Sequence, residues 1–133
     1  MFSHLNEPNI LQRLNRYKFG IKLFASFKDY FNIYLVTTFF EGKTLDYFKD
    51  KIMNEKEIKF VSACVILSFI YFRKEKIIHR DIDFKNIILD SKNYFNIIDF
   101  SSSINYENKD NKEYYIRTGP NVAPPEMLNR KKI

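Results

Sequence analysis

Residues 79–100 read HRDIDFKNIILDSKNYFNIIDF, and this stretch decides the fold. Two short apolar runs, Ile87 to Leu89 and Phe95 to Ile98, flank the polar segment Asp90-Ser91-Lys92-Asn93, the pattern of a β-hairpin with a four-residue turn. If residue 87 pairs with 98, 88 with 97 and 89 with 96, Asn86 and Asp99 face each other across the open end. Opposed Cα atoms in such a ladder lie roughly 4.5 to 5.5 Å apart. An amide oxygen and a carboxylate presented this way suit Mg²⁺, which takes one or two carboxylates and completes its octahedron with water and phosphate oxygens. Asp81, five residues before Asn86, lies on the loop entering the same place and is a candidate to accept a proton from an attacking hydroxyl. Taken singly, each of these residues is better explained as a turn former beside a strand.

Upstream, Ile10, Leu11 and Leu14 recur at helical spacing within Leu5 to Leu14, and Pro8 restricts the start or a kink of that helix to its neighbourhood. Phe19, Ile21 and Leu23 alternate with polar or small residues, and Phe31 to Phe39 is rich in aromatic and β-branched side chains, so a first β-hairpin is expected with Lys28, Asp29 and Tyr30 between its strands. Glu41, Gly42 and Lys43 interrupt the strand pattern, and Thr44 is the expected N-cap of a short helix through Asp50. A longer helix is expected from Asn54, which forms a capping box with Glu57. Its body, Ile58 to Tyr71, is apolar on nearly every face, as in a helix buried in a larger core. Residues 101–121 are polar and aperiodic and predict a long loop. Pro124-Pro125-Glu126 predicts the start of a last short helix.

The chain has 133 residues, 45% of them hydrophobic, which predicts one domain or part of one. The formal net charge is +6, but the basic residues are scattered, so neither nucleic-acid nor membrane binding is expected. The single cysteine, Cys64, excludes an intrachain disulfide, and beside it only His4 and His79 are available to a zinc site. A reducing, cytoplasmic location is expected.

The octapeptide His79 to Asn86, followed thirteen residues after Asn86 by Asp99-Phe100, resembles the catalytic loop and metal-binding motif of protein kinases. The family's other landmarks follow in order. "SHLNEPNILQRL" (3–14) is similar to the helix carrying the ion-pairing glutamate, here Glu7, and "FGIKLFASFKDYFNIYLVTTFF" (19–40) to the fourth and fifth strands and hinge. In that hinge Thr37 would be the gatekeeper, and the backbone of Thr38 and Phe40 would bond adenine. "EKEIKFVSACVILSFIYFRKEKIIHRD" (55–81) looks like the long helix leading into the catalytic loop, and "TGPNVAPPEML" (118–128) like the end of an activation segment. The wording resembles the AGC serine/threonine group.

The resemblance implies an α+β, partial protein-kinase-like fold. Residues 1–40 would be an N-lobe remnant with a β-hairpin and the glutamate-bearing helix, and residues 41–133 the hinge, catalytic loop and activation segment of a mainly helical C-lobe. ATP and Mg²⁺ are the implied cofactors and a protein the implied substrate or partner. Asp81 would orient or deprotonate the substrate hydroxyl, and Asn86 and Asp99 would hold Mg²⁺ on the ATP phosphates. His79 and Arg80 would hold the loop, with Arg80 also available to a phosphorylated residue of the activation segment. Tyr115 and Thr118 lie near the usual phosphorylation position, and Glu126 would meet an arginine. Four departures stand out. No Gly-rich loop or strand lysine occurs in the 133 residues, so a chain truncated at both ends is expected and Glu7 has no implied partner within it. Asp83 stands where a lysine usually neutralises the phosphate, and Lys85, two residues on, is expected to face elsewhere. Ser101 and Gly119 replace a usual glycine and threonine. The expected function is therefore ATP-dependent phosphoryl transfer to protein Ser/Thr hydroxyls, weak or absent in this chain. A pseudokinase-like binding module and a non-functional gene fragment are the alternatives.

Overall fold

The protein is described by a computed structural model covering residues 6–17 and 20–107. Tyr115, Thr118, Gly119, Glu126 and the helix expected at Pro124 lie outside the described residues. Among these residues two α-helices and seven short strands give an α+β architecture, the strands forming three small antiparallel sheets of two, three and two strands.

Helix α1 spans Glu7–Leu14 with Pro8 in its first turn, where the missing N–H leaves no intrahelical bond unmade. Ile10, Leu11 and Leu14 form its buried face. Strands β1 (Leu23–Lys28) and β2 (Ile33–Thr37) make the first hairpin, which starts later than the alternation from Phe19 predicts. Asp29 shapes the turn by accepting the N–H groups of Phe31 and Asn32 on Oδ1 at 2.7 and 2.6 Å. Phe24 is the extra residue of a bulge, since Leu23 pairs with Thr37 and Ala25 with Val36.

The segment predicted to break the strand pattern instead supplies a strand. Gly42–Thr44 (β3) runs antiparallel to β5 (Ile87–Asp90), pairing Gly42 with Asp90 and Thr44 with Ile88. Glycine is required here by proximity rather than by dihedral freedom: a Cβ at position 42 would fall 1.8 Å from the Leu89 carbonyl oxygen. Thr44 has an extended backbone but no side-chain capping bond, and only a single 3-10 turn, Leu45–Phe48, follows it.

Helix α2, Glu55–Lys74, begins with the expected capping box. Asn54 Oδ1 accepts the Glu57 N–H at 3.0 Å while Glu57 Oε2 accepts the Asn54 N–H at 2.8 Å. Two of the helix's orphan donors are thereby satisfied. Of its many apolar residues only Phe72 is buried, whereas Ile66, Leu67 and Ile70 are more than half exposed. No helix among the described residues is long and apolar enough to cross a membrane.

Beyond α2 the backbone reverses through Lys76, which adopts a left-handed φ of 59°. Ile77–Ile78 (β4) then pairs with Ile104–Asn105 (β7), a strand inside the region expected to be loop throughout. The hairpin of β5 and β6 (Phe95–Ile97) forms, but in a register one residue from that predicted: Ile87 pairs with Ile97 and Leu89 with Phe95. The turn is responsible. Asp90 N–H bonds Tyr94 O at 2.9 Å, leaving Ser91, Lys92 and Asn93 as a three-residue loop in which Asn93 takes a left-handed φ of 62°. Asp90 Oδ1 secures the loop by accepting from Lys92 and Tyr94 N–H groups, both at 2.9 Å. One core joins α1 to this hairpin through Phe72, Ile77, Ile97 and Phe100.

Gly42→Ala is predicted to destabilise the fold by about 1–3 kcal/mol, because its methyl group would drive β3 off the Leu89 carbonyl. Urea unfolding of the two proteins measures this as a lower midpoint for the variant.

Candidate functional site

The loop between β4 and β5 carries four charged residues and closes on itself. Asn86 Nδ2 donates to the Asp81 carbonyl oxygen at 2.9 Å and to Asp81 Oδ2 at 3.1 Å. Both bonds come from one amide nitrogen, so the Asn86 side chain fixes the Asp81 backbone and carboxylate together and turns its own Oδ1 away from them. Asn86 is buried, at the end of a 3-10 turn, Phe84–Asn86, begun by Asp83. Asp83 Oδ1 accepts the Phe84 N–H at 2.6 Å and its backbone carbonyl accepts the Asn86 N–H at 2.9 Å.

The second strand reaches the site with the offset its register imposes. Ile98 N–H bonds the Asn86 carbonyl at 2.9 Å, so Ile98, and not Asp99, stands opposite Asn86. The predicted face-to-face arrangement of Asn86 and Asp99 is corrected to a diagonal one. In a regular strand this offset would send the Asp99 side chain to the opposite face from that of Ile98. Asp99 leaves the regular conformation: its φ is 61°, and Oδ1 accepts the Ser101 N–H at 3.2 Å. Asp is among the few residues with a Cβ that tolerate this region.

His79 holds both sides in place. Its ring is 4% exposed and lies edge-on to Phe100, centroids 4.7 Å apart, with Phe72 5.4 Å from Phe100. Nε2 is 3.1 Å from the Ile98 carbonyl oxygen, which can only accept, and Nδ1 is 3.3 Å from the Asp81 N–H, which can only donate. Those partners select the neutral tautomer protonated on Nε2. Burial pushes the imidazole below its ordinary pKa, against the opposing pull of the Ile98 carbonyl and of the Asp81 and Asp99 carboxylates.

Arg80 takes a left-handed φ of 66° and donates from Nε to the Ser102 carbonyl at 2.6 Å. Ser103 Oγ donates to the His79 carbonyl at 3.1 Å. Neither serine was legible from sequence, because a Ser-Ser-Ser run carries only a loop signal. Phe100, fully buried, was legible as part of a motif but not as the packing partner of His79. Lys85 Nζ lies 3.7 Å from Asp83 Oδ2, the tight turn at Phe84–Asn86 curling the chain back.

The other candidates are more dispersed. Thr37 ends β2, half-buried. The Thr38 N–H is bonded to the Lys22 carbonyl and its hydroxyl accepts the Lys22 N–H, both at 2.9 Å, so the Thr38 backbone has only its carbonyl to offer a ligand. Phe40 follows two residues on, half-buried and outside any helix or strand. Glu7 sits half-buried in the first turn of α1.

A hard divalent cation fits this donor set in one way. Among the described residues no three His, Cys, Asp or Glu side chains gather into a metal cage. The available ligands are amide and carboxylate oxygens at the hairpin end, and such a pair suits Mg²⁺ when phosphate and water oxygens complete the shell.

Because folded His79 resists protonation while the unfolded imidazole titrates near 6.5, stability is full above that pH and lost as pH falls below it. The unfolding free energy from denaturant titration should fall between pH 7.5 and 5.5, by at most about 1.4 kcal/mol per pH unit. His79→Gln should flatten that slope.

The sequence model for the protein kinase domain matches residues 2–133. The chain is 29% identical over 128 residues to a cGMP-dependent protein kinase, isozyme 2, of Drosophila melanogaster, covering 95% of this chain and 14% of that protein. It is 31% identical over 127 residues to human cGMP-dependent protein kinase 2, covering 94% of this chain and 16% of the relative. A probable serine/threonine-protein kinase of Dictyostelium discoideum is 32% identical over 127 residues, covering 93% and 27% respectively. The chain thus spans about a seventh to a quarter of the length of these relatives. With the family match running through nearly every residue, the chain belongs to the protein kinase domain family.

Proposed function

We propose that the chain supplies the catalytic-loop portion of an ATP-dependent kinase that transfers the γ-phosphoryl group to a Ser or Thr hydroxyl of a protein, in the manner of AGC-like enzymes. The observation that carries this reading is the Asn86 amide, bonded at once to the backbone and carboxylate of Asp81, just before a strand whose partner leads toward Asp99. Asp81 is held with its carboxylate anchored by one oxygen, which orients it to accept the proton of an incoming hydroxyl. The Asn86 Oδ1 and the Asp99 carboxylate are the groups that would hold Mg²⁺ on ATP. An ion held by them would neutralise charge developing on the phosphate oxygens. The Thr38 carbonyl and the Phe40 backbone are the proposed contacts for adenine, with Thr37 bordering them. Arg80 and His79 serve as supports, the first through Ser102 and the second through Ile98.

Turnover is proposed to be weak because Asp83 places a carboxylate on the loop that handles phosphate. A specific observation favours a second reading, a pseudokinase-like module that binds another protein: Ile66, Leu67 and Ile70 of α2 are 55%, 58% and 60% exposed. A monodisperse monomer with cooperative unfolding in analytical ultracentrifugation and urea titration would count against that alternative.

Incubation of the 133-residue chain with Mg-ATP and a basic peptide is expected to give little phosphopeptide, and none from Asp81→Asn or Asp99→Ala. Labelling that survives Asp99→Ala would contradict the assigned site, and vigorous labelling by the unaltered chain would contradict the weak turnover.

A further inference from the structure

The second hairpin has two ends, and only the open one carries the site described above. At its turn end the packing leaves a groove of about 360 Å³ between the hairpin, the stretch after the 3-10 turn Leu45–Phe48 and the first half of α2. That size lies at the lower end of the roughly 300–1,000 Å³ that ligand sites occupy. Phe48, Ile52, Met53, Phe60, Leu89 and Phe95 make its apolar lining. Phe60 meets Tyr94 with ring centroids 6.1 Å apart, which joins α2 to the turn at the groove, while the lining residue Ile52 stands fully exposed. A contiguous apolar surface rimmed by polar groups is the form an interaction site takes.

The rim defines the ligand. Lys51 lines the groove with its ammonium 5.0 Å from the Tyr47 ring centroid and 5.4 Å from that of Phe48, and the Lys43 ammonium lies 5.0 Å from the same Tyr47 ring. Two cations thus gather around one ring at this end, and neither forms an ion pair with a carboxylate among the described residues. At the α2 end Glu57 gives Oε2 to the capping box and keeps Oε1 for another donor. Asn93 spends its backbone N–H on the Asp90 carbonyl and leaves its side-chain amide exposed at the groove. A peptide holds the complement of all three: a carboxylate for the lysines, a main-chain N–H for Glu57 and main-chain groups for the Asn93 amide. A fatty acid would satisfy the lysines alone and leave Glu57 facing hydrocarbon.

We propose that this groove is a docking site for an acidic, apolar segment of a partner protein, whose aliphatic or aromatic side chains cover Ile52 and Phe60 while an Asp or Glu pairs with Lys51. The assignment does not depend on phosphoryl transfer, because the groove is built on the turn end of the hairpin, whereas Asn86 and Asp99 lie toward its open end. The same cations that attract an acidic segment repel a basic one, so the rim supplies selectivity and the apolar floor supplies affinity.

Fluorescence anisotropy of the folded 133-residue chain tests this with two labelled peptides, Asp-Glu-Leu-Asp-Phe-Leu and its charge-reversed form Lys-Lys-Leu-Lys-Phe-Leu, and with decanoate as competitor. The acidic peptide is expected to bind saturably and the basic one about fivefold or more weaker, the difference that exposed charges make. Ile52→Asp, at a position already fully exposed, should weaken the acidic peptide about tenfold or more without unfolding the chain. Lys51→Glu should narrow or reverse the preference between the peptides, and Ile66→Asp, on the separate exposed stretch of α2, should leave both affinities unchanged. Equal binding of the two peptides, loss of binding in Ile66→Asp rather than in Ile52→Asp, or no saturable binding overturns the assignment. Binding of decanoate without binding of the acidic peptide, or self-association of the chain that Ile52→Asp abolishes, overturns it in favour of an amphiphile or of a second copy.

Discussion

The imidazole of His79 joins the two halves of the site, and its neutrality is what allows it to do so. One ring nitrogen donates to the Ile98 carbonyl at the end of β6 and the other accepts from the Asp81 N–H on the loop before β5. A proton added to the ring would convert the acceptor into a donor facing another donor. Burial against Phe100 and Phe72 opposes that proton, so apolar packing and hydrogen-bond polarity reinforce each other. Ile98 in turn bonds Asn86, whose amide holds Asp81. The positions of Asp81, Asn86 and Asp99 thus all depend on one ring and the aromatic side chains that exclude water from it.

Strain enters where the chain must turn its side chains toward this point. Arg80 and Asp99, on either side of the site, both adopt left-handed backbone conformations. The region costs a residue with a Cβ roughly 1–2 kcal/mol. Each is fixed by a hydrogen bond of its own, Arg80 Nε to Ser102 and Asp99 Oδ1 from Ser101, and the β4-β7 pair holds residues 77–78 against 104–105 just beyond. Departures from regular geometry therefore cluster beside the chemistry and are supported by the strands around them.

What the sequence made legible follows from how local the deciding forces are. The Asn54–Glu57 box is a four-residue interaction and forms as predicted, and the spacing of Ile10, Leu11 and Leu14 marks the buried face of α1. The second hairpin was legible, but its register turned on the left-handed conformation of Asn93 and the side-chain bonds of Asp90, and this moved Asp99 one step from its expected place. Strands β3 and β7 are three and two residues long and have no period to detect; long-range pairing creates them. The candidate site residues follow from spacing, and of them the structure joins Asn86 to Asp81. The return of Lys85 toward Asp83 was not, since a 3-10 turn of three residues decides it.

Asn86 and Asp99, near the open end of the second hairpin and braced through His79, are the proposed metal-nucleotide site. Nuclear magnetic resonance with Mn²⁺ in place of Mg²⁺ addresses it most directly, because the paramagnetic ion broadens signals nearest to it. In the presence of ATP, substoichiometric Mn²⁺ is predicted to broaden first the Asn86 side-chain amide and the backbone amides around Asp99, and Asp99→Ala should abolish that selectivity. Broadening that is uniform over the chain, or centred on other carboxylates and unchanged in Asp99→Ala, would contradict the account.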